Sequence, residues 1–199
     1  MSPEMVVRMF GTIRKHNALI LDLRGNPGGA VETLEDIAGY LFDHDVKIAD
    51  RIGRKQELKP IVAKSRGNGA FGGKLVVLID SRSASAAELL SRVVELEKRG
   101  TVIGDRSSGS VMEARVYDFS QGADTKVYYD LAVTDADLIM KDGKSLEHNG
   151  VTPDEIVLPT GDDLAKGRDP ALTRAAKLVG LNLSPEAAGK MFPFEWSPD

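Results

Sequence analysis

The chain has 199 residues, 42% of them hydrophobic and 28% charged, with a formal net charge of −4. This length and composition fit one globular domain with a buried core, and the acidic balance argues against a nucleic-acid-binding protein, whose contact surface is basic. The lack of cysteine excludes disulfides, thiolate zinc sites and cysteine nucleophiles. No apolar run approaches the ~18 residues of a membrane span.

Helices and buried strands alternate along the first half of the chain. Ser2, Pro3 and Glu4 form a helix-start signature, and apolar residues at helical spacing follow it. The aliphatic run ALILDLRG is typical of a buried parallel strand. Further predicted strands are VKIADRIG, LKPIVAK, KLVVLID and TVIGD, with helices over residues 31–42 and 85–98.

The second half is richer in β-structure. From Arg115 to Val157 the pattern is mostly that of strands, with a hairpin turn at Asp142-Gly143. A short helix follows, with Asp169 as its cap and Pro170 as its first residue. This order predicts an α/β or α+β fold with a β-rich C-terminal half.

The segment DLRGNPGG, residues 22–29, is the first place where chemistry could occur. Its glycines allow backbone N–H groups to approach a ligand closely, so the loop could supply one donor of an oxyanion hole. The alternative is a plain strand-to-helix turn built on Pro27-Gly28. It is not a phosphate-binding loop, because the required lysine is missing.

Ser85 is the second such place. Ser85 and Glu88 have the spacing of a capping box, in which the serine satisfies a free N–H of the helix. The alternative is a nucleophile, because a serine between a parallel strand and a helix lies at the edge of the sheet where α/β sites form. The N–H of Ala86 could then hold a developing oxyanion at the positive end of the helix.

Four segments in order resemble blocks of the C-terminal processing (tail-specific) serine protease family, which includes the tricorn core: ALILDLRGNPGG, LVVLIDSRSASAAEL, VIGDRSSGSV and DGKSLEHNGVTPDEIV. The resemblance implies a spiral ββα core shared with crotonase and Clp-type proteases. It also implies an acyl-enzyme mechanism with Ser85 as nucleophile. Ala86 and Gly28 would be the oxyanion donors, with Gly29 as the alternate to Gly28.

The general base is where the sequence departs from this pattern. The tail-specific branch has a lysine 25 residues after the serine, and this position holds Ser110. The chain is therefore more similar to the tricorn-like branch, in which a histidine is the base and a glutamate supports it. Glu147 matches that glutamate, and its alternative role is that of a solvated residue at a strand end. None of the three histidines matches the family's histidine: His16, His44 and His148.

We therefore expect a C-terminal fragment of a catalytic domain, with the base and a peptide-binding domain of the PDZ type upstream. Residues 1–180 would form the protease-like core, and residues 181–199 a tail docked on it. The resemblance implies a polypeptide substrate and no cofactor, and it allows a homo-oligomer. For the full-length protein it favours the cell envelope or periplasm over the cytoplasm.

Two other functions remain open. One is a non-catalytic module on the same fold that binds a protein or an apolar ligand, which the missing lysine favours. The other is acyl-CoA chemistry on the related crotonase fold, which would leave the four protease-like blocks unexplained.

Overall fold

The computed structural model of the protein describes residues 3–53 and 58–192. The helices are α1 (Pro3–Ile13), α2 (Val31–Leu41), α3 (Ala86–Leu96), α4 (Gly161–Ala165), α5 (Pro170–Leu178) and α6 (Pro185–Met191). The strands are β1 (Ala18–Asp22), β2 (Val46–Gly53), β3 (Ile61–Ala63), β4 (Lys74–Ile79), β5 (Thr101–Gly104), β6 (Glu113–Gln121), β7 (Val127–Ile139) and β8 (Glu155–Ile156).

A parallel sheet in the order β1-β4-β5-β8 forms the centre of the fold. Its central strand β4 is buried on both faces, which explains the continuous aliphatic run KLVVLI. Val77 and Ile79 face the larger core, and Val76 and Leu78 face a smaller one formed with α5. Helices therefore cover both faces of this sheet, as in other α/β folds.

A second, antiparallel sheet has the order β3-β2-β7-β6. Strand β6 pairs along its whole length with the first ten residues of β7, from Glu113 opposite Ala136 to Gln121 opposite Val127. Only the last residues of β7 are buried, among them Ala136 and Leu138. The rest of this hairpin projects from the core with both of its faces exposed.

The predicted fold class is confirmed, including the alternation of helices with parallel strands and the β-rich segment that follows. Strand β2 has the predicted bounds, and the turn at Asp142-Gly143 is present, with the Met140 N–H donating to the Lys144 carbonyl. Asp169 caps α5 by accepting from the Leu172 N–H at 2.8 Å. The predicted cap at Ser2 lies outside the described residues. Within the described ranges, the helices are too short or too polar to cross a membrane.

Two short helices near the C-terminus were not predicted, α4 and α6. Both begin with a cap that the sequence displays, Thr160 with Asp163 for α4 and Ser184 before Pro185 for α6. Helix α6 packs on α5, and its Ala188 is fully buried. This part of the predicted tail therefore contacts the core, and residues 193–199 lie outside the described residues.

Candidate active site

Three loops meet at one edge of the parallel sheet, because parallel strands all end there. They follow β1 (residues 23–30), β4 (residues 80–85) and β5 (residues 105–112). Backbone bonds join them: the Ala84 N–H donates to the Asn26 carbonyl and the Ser108 N–H to the Ser83 carbonyl, each at 2.9 Å. Ligand sites of α/β proteins form at this edge.

Ser83 joins the first two loops through its buried side chain. Its hydroxyl donates to the Leu23 carbonyl at 2.8 Å and accepts from the Asp80 N–H at 3.0 Å. Asp80 in turn accepts from the Gly25 N–H at 2.8 Å. The loops after β1 and β4 are therefore joined by hydrogen bonds through both Ser83 and Asp80.

Ser85 is the residue at which β4's loop becomes helix α3. Its backbone has φ of 53° and ψ of −120°, a conformation that a non-glycine residue adopts rarely and at a cost of about 1–3 kcal/mol. In α/β-hydrolases, a strained serine at a strand-to-helix turn exposes its hydroxyl above the sheet and acts as the nucleophile. Ser85 is half-buried, so its side chain is accessible from solvent.

The strained backbone of Ser85 is held by two acceptors. Its N–H donates to the Ser110 carbonyl at 2.9 Å and to the Glu88 carboxylate at 3.0 Å. The Glu88 part of the predicted capping box is thus well formed. The Ser85 side chain also faces the Glu88 N–H, so both halves of the predicted capping box are present, and this role uses the hydroxyl as an acceptor and not its proton.

Glu88 has a larger role than the capping box predicted. Its carboxylate is completely buried, and besides Ser85 it accepts from the Ser107 hydroxyl at 2.6 Å, the Gly109 N–H at 2.7 Å and the Ser110 N–H at 2.9 Å. A buried carboxylate is tolerated only with such partners. Glu88 therefore locks the loop after β5 against the start of α3.

Gly28 lies directly against Ser85 and Ala86. Its φ is +101°, and a Cβ at this position would lie 2.6 Å from the Ser85 Cβ and 3.1 Å from the Ala86 nitrogen. Only glycine fits there, both because of the φ angle and because of the space. At Gly29 an added Cβ meets nothing within 4 Å.

The backbone donors around Ser85 differ in availability. The Ala86 N–H, in the first turn of α3, donates to no acceptor among the described residues. The Gly28 N–H already donates to the Asn26 side-chain oxygen at 2.8 Å. The Gly29 N–H has no acceptor within the described part of the chain. In this conformation Ala86 and Gly29 hold the unused donors.

Arg24 ties the glycine loop to the C-terminal helices. It forms ion pairs with Asp22 at 2.7 Å and with Asp169, the α5 cap, at 2.8 Å. Burial acts to lower the pKa of Arg24, but hydrogen bonds and charges from the two aspartates outweigh it and raise the pKa well above its ordinary value. The glycine loop is thus anchored at Arg24, close to Gly28.

Glu147 does not contact Ser85 but is linked to it through the segment 110–112. Its carboxylate accepts from the Val111 N–H at 2.8 Å and the Met112 N–H at 3.2 Å, and its side chain is one quarter exposed. Val111 follows Ser110, whose carbonyl holds Ser85. Glu147 and Ser85 therefore contact neighbouring residues of the same short segment.

Among the described residues no side chain accepts a hydrogen bond from the Ser85 hydroxyl, and the Glu88 carboxylate accepts from the Ser85 N–H instead. His148 neighbours Glu147, but the two residues lie in a turn and not in the strand that the sequence suggested. The His148 side chain is 90% exposed, with its Nε2 3.9 Å from Glu147. His44 pairs with Asp43, and Ser110 is exposed with its hydroxyl 3.3 Å from that of Ser108.

The structure thus brings together Ser85, Ala86, Gly28 and Gly29, with Glu147 close by. Sequence reasoning missed Asn26, Ser83 and Ser107, which organise the loops, and it assigned Glu88 only a local role. The available sequence signal for Ser83 and Ser107 was a serine close to the end of a buried strand. Their hydrogen-bond partners could not be foreseen, because they lie 60 and 19 residues away in the chain.

The chain matches known proteins over most of its length. The sequence model described as Peptidase family S41 matches residues 2–157. A carboxyl-terminal-processing protease from Synechocystis is 31% identical over 138 residues, 69% of this chain and 30% of that protein. A tricorn protease homologue from Streptomyces coelicolor is 30% identical over 166 residues, 81% of this chain and 13% of that protein.

A solved structure shares the fold. The photosystem II D1 C-terminal processing protease matches with a TM-score of 0.64 and 23% identity, covering 93% of this chain and 44% of that one. The chain belongs to peptidase family S41. This confirms the predicted family, although the chain spans less than a third of the length of these two curated relatives.

Proposed function

We propose that this chain carries the nucleophile and the oxyanion hole of a serine endopeptidase that cleaves polypeptides through an acyl-enzyme. The main support is the strained backbone of Ser85 at the start of α3, with the unused Ala86 N–H next to it and Gly28 against it. Strained residues of this kind cluster at active sites, held in place by the surrounding structure.

In the proposed reaction, the Ser85 hydroxyl oxygen attacks the scissile carbonyl carbon and its proton passes to a general base. The resulting oxyanion accepts from the Ala86 N–H, aided by the positive end of the helix. The amine leaves with that proton as the C–N bond breaks, which gives an ester on Ser85. Water then hydrolyses the ester and regenerates the serine.

The second oxyanion donor comes from the glycine pair. Gly28 is the donor that the family pattern indicates, but its N–H is held by Asn26. We propose Gly29 as the second donor, because its N–H has no acceptor among the described residues. The variant Asn26→Ala separates the two: it raises the rate of acylation if Gly28 is the donor, and leaves it unchanged or lower if Gly29 is.

Glu147 is proposed to orient the general base. Its carboxylate accepts from the N–H of Val111, the residue after Ser110, and the Ser110 carbonyl holds the Ser85 N–H. One quarter of the Glu147 side chain is exposed and can contact a further partner. We propose that the base is a histidine from outside these 199 residues, because no described histidine or lysine contacts Ser85. A carboxylate that orients an imidazole is the arrangement of other serine hydrolases.

The test is peptide hydrolysis by the longest reading frame that contains this chain, with Ser85→Ala as the control. We expect cleavage of an unfolded polypeptide that the control loses. The 199-residue chain alone should show little or no cleavage, because loss of one member of a triad lowers the rate by orders of magnitude. Robust cleavage by the chain alone, abolished by Ser85→Ala, would contradict the proposed origin of the base.

The missing base also supports a second candidate, a non-catalytic module that binds proteins or apolar ligands on the same fold. The observation in its favour is Ser110, which occupies the position of the lysine in the tail-specific branch. Tight binding of an apolar ligand by the longest reading frame, without any cleavage, would favour this candidate. We retain the cell envelope as the proposed location of the full-length protein.

A further inference from the structure

Asp169 connects the C-terminal helices to the loop after β1, which carries the proposed oxyanion donors. Its Oδ1 caps α5 by accepting from the Leu172 N–H at 2.8 Å, and its Oδ2 lies 2.8 Å from the Arg24 guanidinium. The Asp169 N–H donates to the Pro185 carbonyl at the start of α6. A single residue thus contacts α5, α6 and the loop.

The ion pair between Arg24 and Asp169 ties this loop to a separate element of the fold. The Arg24 guanidinium also binds Asp22, with nitrogen–oxygen distances of 2.9 and 2.7 Å, but Asp22 is the last residue of β1 and belongs to the same chain segment. The side chains of Arg24 and Asp169 are 24% and 13% exposed. Water and salt therefore screen this pair less than they screen a pair on the open surface.

Helix α5 gives this contact a firm support, because it packs on the parallel sheet. Its Ala175 is fully buried in the smaller core, which also contains Val76 and Leu78 of β4. Strand β4 in turn leads into the loop that ends at Ser85. The position of the Asp169 carboxylate relative to the proposed nucleophile is therefore set by a packed core.

The loop after β1 depends on such supports, because its N–H groups act on the reaction only when they are accurately placed. A hydrogen bond from the Gly25 N–H to Asp80 attaches the loop to the loop after β4, and Arg24 attaches it to α5. Gly28 and Gly29 follow in the same loop. An oxyanion donor must be preorganised at hydrogen-bond distance, and a displacement of about 1 Å in an active site can cost ~100-fold in rate.

We propose that Asp169 is a positioning residue for the peptidase reaction. Through Arg24 it holds the loop that carries Gly28 and Gly29 at the distance from Ser85 that the oxyanion requires. This inference rests on the proposed function of Ser85. It gives a role in the site to α5, which lies outside residues 2–157, the range that matches the family.

The variant Asp169→Asn removes the charge that Arg24 binds and keeps a good helix cap. When the asparagine oxygen accepts from the Leu172 N–H, its amide nitrogen faces the guanidinium, and two donors form no hydrogen bond. In the longest reading frame we expect fluorophosphonate labelling of Ser85 to slow at least about fivefold, since a displaced oxyanion donor costs less than the roughly 10²–10³-fold of a deleted one.

Peptide hydrolysis by Asp169→Asn should show a matching fall in kcat with KM changed less than about twofold, because the oxyanion forms only in the transition state. Asp169→Ser is a second variant with the same expected result. Serine also caps helices, and its one side-chain oxygen is used by the cap.

Ser184→Ala is the matched control. Ser184 caps α6 by accepting from the Ala187 N–H at 3.2 Å, and among the described residues it has no hydrogen bond to Arg24. Its replacement should lower the free energy of unfolding by about 1 kcal/mol and change the labelling rate less than twofold. The control therefore separates weakened C-terminal helices from a misplaced loop.

A double-mutant cycle with Arg24→Gln completes the test. In the Arg24→Gln background, Asp169→Asn should change the labelling rate less than twofold, because the residue through which it acts is already gone. An effect as large as in the wild type would overturn the positioning role. So would equal labelling of the wild type and Asp169→Asn at Ser85, although the proposed nucleophile would then stand. Absence of labelling at Ser85 in the folded wild type would overturn the proposed function and this inference with it.

Discussion

The Ser85 N–H and the Ser110 carbonyl oxygen are 2.9 Å apart. This bond places Ser110, the position that the sequence resemblance aligns with the lysine of the tail-specific branch, directly beside the proposed nucleophile. Ser110 is exposed, and its own N–H is held by the Glu88 carboxylate, so the backbone at this position is fixed although the side chain is not. A longer side chain here could reach the Ser85 hydroxyl.

The first prediction is that Ser110→Lys gives this chain a general base. We expect Ser85 to react with a fluorophosphonate at least tenfold faster than in the wild type. The rate should rise with pH, since only the neutral amine accepts a proton. The measurement is intact-protein mass spectrometry over time.

Ser110→Arg is the matched control for this change. Arginine has similar length and charge but stays protonated at all accessible pH values. It should leave the labelling rate at the wild-type level. If the arginine and lysine variants react equally fast, the lysine does not act as a base and the proposed geometry at position 110 is wrong.

The second prediction concerns Glu88. Glu88→Gln puts an amide donor where two of the four donors point, and it should lower the free energy of unfolding by about 2–4 kcal/mol, since each buried donor left unpaired costs about 1–3 kcal/mol. Urea denaturation measures this. Glu32→Gln, in the exposed first turn of α2, should stay within about 0.5 kcal/mol of wild type. If the Glu88 variant is as stable as the Glu32 control, the four hydrogen bonds to the buried Glu88 carboxylate do not stabilise the fold as proposed.

The third prediction separates the two glycines. Gly28→Ala should lower stability by more than about 1 kcal/mol and abolish labelling of Ser85, because the added methyl group meets the Ser85 Cβ and the φ angle is positive. Gly29→Ala adds a methyl group into open space and keeps its N–H. Both glycine changes are made in the Ser110→Lys variant, and Gly29→Ala should retain most of that variant's labelling rate. Similar losses in both variants would contradict the contact between Gly28 and Ser85.

The fourth prediction tests whether Glu147 has a role beyond holding the Val111 and Met112 amides. Glu147→Gln keeps a side-chain oxygen for those donors, so stability should fall by less than about 0.5 kcal/mol, whereas Glu147→Ala should cost about 1 kcal/mol. In the longest reading frame, kcat should fall at least tenfold in both variants with KM little changed. Unchanged kcat in the glutamine variant would limit Glu147 to a structural role.

Sequence reasoning succeeded where the cause is local. Asp169 caps α5 because its acceptor and the Leu172 N–H are three residues apart, and β4 is recognisable because its aliphatic run is buried on both faces. The caps of α4 and α6 are equally local, and both were overlooked. Hence the bounds of most elements follow from residues close together in the chain.

The details of the site depend on contacts that no local pattern contains. Glu88 looks like half of a capping box, while its other three donors lie 19 to 22 residues away. Likewise, the Asn26 side chain occupies the Gly28 N–H only because of the path of the loop. The sequence neighbours of Ser85 were enough to predict it as the nucleophile. Its strained backbone and the unused N–H groups around it became visible only in the folded structure.

The most direct test of the central claim is to map the fluorophosphonate adduct on the longest reading frame that contains this chain, by peptide mass spectrometry. The account predicts one adduct, on Ser85, and its loss in Ser85→Ala with the folded state intact. No adduct on the folded protein, or an adduct on another serine that survives Ser85→Ala, would contradict Ser85 as the nucleophile.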